Sequence, residues 1–149
     1  MKNKLLILGI IVIILILGFI LYYIYNKDEP NINTLEHIIT IKSNNKEIDA
    51  FTGSFCYPNI CIDKIDFRDF KYDTIDTSYN NKLLIDNLDG SIKSIELYDY
   101  NKNEYIDSNI DYTNEYIITP NLNGNYIFQI NAIYQGSNIS YYFMVNIIN

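Results

Sequence analysis

Tyr126–Ile147 reads YIFQINAIYQGSNISYYFMVNI, and its periodicity decides the fold. Tyr126, Phe128, Ile130, Ala132 and Tyr134 fall on one side of an extended chain, and Ile127, Gln129, Asn131 and Ile133 on the other, because side chains alternate along a strand. Ile139, Tyr141, Phe143, Val145 and Ile147 repeat the greasier face. Between the two runs, Gln135-Gly136-Ser137-Asn138 is a turn cluster whose glycine can take positive φ. The stretch predicts a β-hairpin, and Asn123-Gly124-Asn125, just after Pro120, marks the turn that enters it. Tyr141 and Tyr142 are neighbours on one strand and must point opposite ways, so at least one lies outside the main core.

Weaker strand signals extend upstream. Glu36–Lys42 and Glu47–Phe55 read as strands around a Ser43-Asn44-Asn45 turn. Lys82–Ile85 and Ser91–Tyr98 flank Asn87-Leu88-Asp89-Gly90, and a short strand is predicted near Glu115–Thr119. About seven short strands at regular spacing predict a mainly β chain, an immunoglobulin-like β-sandwich. Both strand faces carry Tyr and Ile, which argues for two layers. Cys61–Asp76 breaks the pattern: Asp63, Asp66, Asp69, Asp73 and Asp76 sit three or four apart, as on one face of a short helix or an irregular crossover.

The first 25 residues differ in kind. Leu5–Tyr25, LLILGIIVIILILGFILYYIY, holds no charge. At about 1.5 Å per residue it spans about 30 Å, the thickness of a hydrocarbon core. Tyr22, Tyr23 and Tyr25 cluster at its end like an interfacial aromatic belt. Lys2 and Lys4 precede the run, while Lys27, Asp28 and Glu29 follow it; the positive-inside rule then puts the N-terminus in the cytoplasm. A cleaved signal peptide is the rival, but the run exceeds an ordinary h-region and no A-x-A site follows it. The expected organisation is a cytoplasmic stub at 1–4, a transmembrane helix at 5–25, a linker at 26–34 carrying Pro30, and an extracytoplasmic domain at 35–149. The expected location is the cell membrane, crossed once.

The chain has 149 residues and a formal charge of −7. An acidic domain repels nucleic acid, whose binding rests on Lys and Arg at phosphates. Cys56 and Cys61 are the two cysteines. Outside the cytoplasm an even count favours a disulfide, with a redox pair, or free or metal-bound thiols, as alternatives. A redox pair usually has tighter C-x-x-C spacing, and zinc would need two more ligands where the chain holds one His, His37. No G-x-S-x-G elbow or H-E-x-x-H pair is present. Asp99, Asn101 and Asn103 echo the start of a calcium loop, and Asp107 and Asp111 follow, but Glu104 stands where the loop needs glycine and Ile110 where it needs glutamate. These are weak candidate cation ligands. The Asp63–Asp76 stripe is a second acidic candidate, part-neutralised by Lys64, Arg68 and Lys71.

Gly53-Ser54-Phe55-Cys56-Tyr57, followed by Cys61-Ile62-Asp63, resembles a group of uncharacterised membrane-anchored or secreted proteins of Gram-positive bacteria. Their pattern is G-S-Y-C-W, a short gap, C-x-D, and a late hairpin that Gly124, Tyr126, Phe128, Ala132, Tyr134, Gly136 and Phe143 match here. Tyr57 and Tyr134 replace the group's two tryptophans. The resemblance implies an extracytoplasmic β-sandwich with a disulfide, and it implies no activity.

No catalytic residue and no cofactor emerge from these patterns. The expectation is a non-enzymatic, membrane-anchored module that binds a protein partner or a cell-envelope component. The alternatives are an accessory subunit of a membrane complex and, more remotely, a carboxylate-based hydrolase.

Overall fold

A computed structural model describes residues 12–22, 38–43, 46–57, 60–62, 66–134 and 136–149, without the side chains of 56, 57, 60 and 62. The chain divides into two units, Met1–Glu36 and His37–Asn149. In the first, residues 12–22 are helical and exposed throughout. Among the described residues no helix is long and apolar enough to cross a membrane; Leu5–Ile11, Tyr23 and Tyr25 lie outside them, as do the linker and His37.

The second unit is mainly β. Its described residues form eleven strands: β1 Thr40–Ser43, β2 Lys46–Asp49, β3 Phe51–Tyr57, β4 Ile60–Ile62, β5 Thr74–Thr77, β6 Lys82–Asp86, β7 Ser91–Asp99, β8 Glu104–Ile106, β9 Tyr116–Ile118, β10 Gly124–Tyr134 and β11 Ser137–Ile147. A four-stranded sheet runs β2-β1-β6-β9, and a seven-stranded sheet runs β4-β3-β11-β10-β7-β8 with β5 also on β11. All pairings are antiparallel except β5 with β11. This two-sheet arrangement is consistent with a β-sandwich.

The hairpin that the alternation predicts is the spine of the larger sheet. β10 and β11 pair from Gly124↔Ile147 to Tyr134↔Ser137. Phe128, Ile130, Phe143, Val145 and Ile147 are all fully buried, and Phe128 stacks on Phe143 with centroids 5.2 Å apart. Ile39, Ile41, Leu83 and Ile117 supply the buried face of the smaller sheet. Tyr141 points into the core at 1 % exposure, and Tyr142 points outward and is half-buried, as strand alternation requires.

Three differences from the sequence reading have physical reasons. The strand expected over Glu47–Phe55 is two strands, split at Ala50, which is buried and donates its N–H to the Ile39 carbonyl at 2.9 Å. That break lets β2 join one sheet and β3 the other. In its described residues, Cys61–Asp76 is the irregular crossover of its two expected forms: it begins in β4, holds one 3-10 turn at Phe67–Asp69 and ends in β5. Among the described residues, 66–76, the aspartates at helical spacing carry a single 3-10 turn and no α-helix. Third, β8 forms at Glu104–Ile106, where the sequence marks no strand, its backbone pairing with Asp99, Tyr98 and Leu97 of β7.

Candidate functional site

The larger sheet has two faces, and its outer one is unusual. Register brings outward side chains into rows: Tyr105, Tyr98 and Ile127 in one; Glu96, Gln129 and Tyr142 in the next; Ser94, Asn131 and Ser140 in a third. Phe51 extends the middle row onto β3. Residues 66–73 cross this face as a strap.

Local chemistry shapes the strap. Asp66 caps the 3-10 turn, its Oδ1 accepting the Arg68 N–H at 3.0 Å and Arg68 Nε–H at 2.8 Å, while Arg68 Nη2 donates to Oδ2. Hydrogen bonds from the Arg68 side chain hold the Asp66 carboxyl down at about 2, against a usual 3.8. A carboxyl depressed on folding contributes stability above its unfolded value and loses it as pH falls through the folded one; the cap therefore persists through mild acid. Tyr72 donates its hydroxyl to the Phe67 carbonyl at 2.7 Å, closing the strap on itself.

Aromatic rings bind strap to sheet. Phe67 stacks on Tyr142 at 5.0 Å with rings 3° from parallel, and meets Tyr98 edge-on at 5.1 Å. Phe70 stacks on Phe51 at 4.8 Å. Tyr98 meets Tyr105 edge-on at 5.1 Å. Such pairs contribute about 0.5–1.5 kcal/mol each beyond the area they bury.

Gly53 makes room for this stack. A Cβ there would stand 2.2 Å from Tyr142 Cε2 and 3.3 Å from the Ser140 carbonyl oxygen. Tyr142 cannot swing clear without leaving Phe67. Gly53→Ala is expected to cost about 2 kcal/mol and to weaken the aromatic near-ultraviolet dichroism of the strap; an unchanged spectrum and urea midpoint would contradict this packing.

Beside the rings runs a polar network. Tyr105 donates its hydroxyl to Gln129 Oε1 at 3.0 Å, and Gln129 Nε2–H donates to Asn131 Oδ1 at 3.0 Å. Asn131 Nδ2 donates to Ser94 Oγ at 3.0 Å and Glu96 Oε1 at 2.9 Å, and Ser140 donates to Asn131 Oδ1 at 2.8 Å. Together these bonds fix the orientation of both amides. Tyr105 itself is 51 % exposed.

Burial pushes the Tyr105 and Tyr141 phenols up to about 12 from 10.0, and raises Tyr72, Tyr126 and Tyr142 as well. The folded state holds these protons more tightly than the unfolded chain. The resulting stabilisation is complete below pH 10 and is lost as pH climbs toward 12. The urea midpoint should therefore stay level on the neutral side of pH 10.0 and fall steeply between there and about 12; a level midpoint across that window would show these phenols to be solvated.

The acidic candidates fare differently. Burial pushes the Asp99 carboxyl up, but N–H groups of Lys102 and Asn101 and the Lys102 ammonium outweigh it and hold the group below its usual range. Asp99 Oδ1 accepts from Asn101 N–H and Lys102 N–H, each at 3.0 Å, and Lys102 Nζ lies 3.3 Å from Oδ2. Asn103 accepts the Tyr98 hydroxyl. Asp99, Asn101 and Asn103 thus build the β7–β8 turn, while Asp107 and Asp111 lie exposed beyond it. In the other stripe, Asp66 engages Arg68, and Asp76 accepts from Asn146 Nδ2 at 2.8 Å; Asp63 lies outside the described residues. Among the described residues no three His, Cys, Asp or Glu come together to hold a metal. Backbone register sets Cys56 opposite Cys61 across β3 and β4, and no described cysteine is a free thiol.

Sequence reading singled out none of the outer-face residues as a site. The signal was present in the second face of β10, where Gln129 and Asn131 interrupt an apolar strand, and in the outward Tyr142. Compared with family models, curated proteins and solved structures, the chain matches none.

Proposed function

We propose that the chain is a membrane-anchored, extracytoplasmic, immunoglobulin-like module without enzymatic activity, which binds a protein partner or cell-envelope component. The observation that carries this reading is the outer face of the seven-stranded sheet, where a half-exposed tyrosine and a fixed amide row lie open beside an aromatic strap.

Strand order supports the immunoglobulin-like part. β1-β6-β9 corresponds to strands A, B and E of such a sandwich, and β8-β7-β10-β11 to C′, C, F and G. The segment between β1 and β5 is then an insertion that adds β2 to one sheet and β3 and β4 to the other. Tyr126, near the start of β10, donates its hydroxyl to the Asn123 carbonyl at 3.1 Å, like the tyrosine corner of these folds. Phe128 occupies the place two residues on, where antibody domains carry a cysteine. The Cys56–Cys61 disulfide that we assign is supported by register, since directly opposed residues on antiparallel strands meet the Cα separation a disulfide needs. The anchor rests on the uncharged run Leu5–Tyr25 and its flanking lysines.

Amine cross-linking of intact cells with a membrane-impermeant reagent tests this reading. Lys46, Lys82 and Lys102 are exposed and should react. Unmodified lysines in expressed protein would overturn the topology. A dominant membrane-protein adduct that survives substitution of the outer face but not of the helix would instead favour an accessory subunit.

A further inference from the structure

We propose that the outer face of the seven-stranded sheet binds a neutral saccharide chain, with the Tyr105 ring as its stacking platform and Gln129 and Glu96, oriented by Asn131, as its hydrogen-bonding groups. This rests on the module reading above and names its ligand class.

A sugar ring is amphipathic. Its C–H face is attracted to the electron-rich face of an aromatic ring, and its hydroxyls demand donors and acceptors fixed in direction. Both requirements occur side by side here. Tyr105 is held by a T-shaped contact with Tyr98, by a tilted contact with Phe67 and, at its hydroxyl, by Gln129, so little freedom remains to be lost on binding. Gln129 and Asn131 present planar amides already oriented by each other, and Glu96, exposed on the neighbouring strand, accepts from Asn131. From Tyr105 on β8 across Glu96 on β7 to Gln129 on β10, three strands about 4.8 Å apart span about 10 Å, the reach of about two linked sugar rings.

Charge selects among polymers. No Lys or Arg stands in the three outward rows, Arg68 beside them is paired with Asp66, and Glu96 adds negative charge to a chain of net −7. An anionic polymer is repelled from such a surface. Composition also separates a glycan from a protein partner: Glu and Ser are depleted at protein interfaces, yet Glu96, Ser94 and Ser140 belong to this network.

The test is calorimetric titration of the full chain, in micelles of a sugar-free detergent, with cellohexaose, a β-1,4-linked N-acetylglucosamine hexamer, and polygalacturonate as the anionic control. The expected result is saturable binding of a neutral hexamer, weakened roughly tenfold or more by Tyr105→Ala, largely retained in Tyr105→Phe, reduced in Gln129→Ala, and absent for polygalacturonate. A single cooperative unfolding transition in Tyr105→Ala, shifted only by the small loss expected of a half-exposed ring, separates lost binding from lost folding. Binding of neither neutral hexamer, or binding indifferent to both alanine substitutions, overturns the inference. If both hexamers fail while a protein cross-link from position 105 persists on cells, the saccharide is wrong and the module reading stands. If both assays fail, the two fall together.

Discussion

Phe128→Ala should lower stability by about 4 kcal/mol, the upper range for emptying an aromatic site in a packed core. Phe128 is fully buried on the central strand β10 and stacks on Phe143. Leu97 stands directly opposite on β7, itself 1 % exposed, so neither neighbour can collapse into the space. The loss should appear as a shifted urea midpoint at constant slope, the sign that compactness is unchanged. On the other face of the same sheet, Tyr105→Ala should cost only about 1 kcal/mol, because that ring is half exposed. A fourfold difference between two aromatic residues of one sheet, on β10 and β8, separates the face that holds the fold from the face assigned to binding. Equal losses would make the outer face a second core.

Gly90→Ala should cost about 3 kcal/mol, from two additive sources. Gly90 has φ +141, which an L side chain rarely adopts, and a Cβ there would stand 2.3 Å from the Ile133 carbonyl oxygen. Strained backbone of this kind costs about 1–3 kcal/mol alone. The opposing atom is backbone held in the β7–β10 ladder, so it cannot rotate away as a side chain would. Gly136 is the internal comparison: its φ is +80 and nothing lies within 4 Å of its Cβ position. Gly136→Ala should therefore cost about 1 kcal/mol, the backbone term alone. Calorimetry on both variants checks the ranking, and a larger loss at Gly136 would contradict it.

Much of the fold was legible because it is local. The β10–β11 hairpin alternates cleanly over both strands, and a glycine stands at its turn. β6 and β7 were likewise marked by the Asn87–Gly90 turn, where Asn87 does take a positive φ of 62. β5 was not legible: TIDT is four residues long, and its partner Met144–Ile147 lies at the far end of the chain in parallel register, which no local pattern encodes. β8 was hidden by its polar neighbours and its brevity.

The site was less legible than the fold, since its members come from β3, the strap, β7, β8, β10 and β11. Alternation put Gln129 and Asn131 on the outward face of one strand, but only the register of four strands sets them beside Tyr105, Glu96 and Tyr142. The strap was misleading on its own terms: its aspartates have helical spacing, yet Asp66 is spent on a single turn and Phe67 and Phe70 are spent on the sheet. Gly53 shows its purpose only once Tyr142 is seen over it.

The most direct measurement places a photoreactive amino acid at position 105 and, separately, at position 84 of the full chain, followed by irradiation of intact cells. Leu84 is 43 % exposed on the outer face of the smaller sheet, so both positions reach solvent. Capture of an extracytoplasmic partner, protein or glycan, from position 105 and not from 84 is the result predicted for a module that binds through its seven-stranded sheet. Capture from 84 and not from 105 would contradict it.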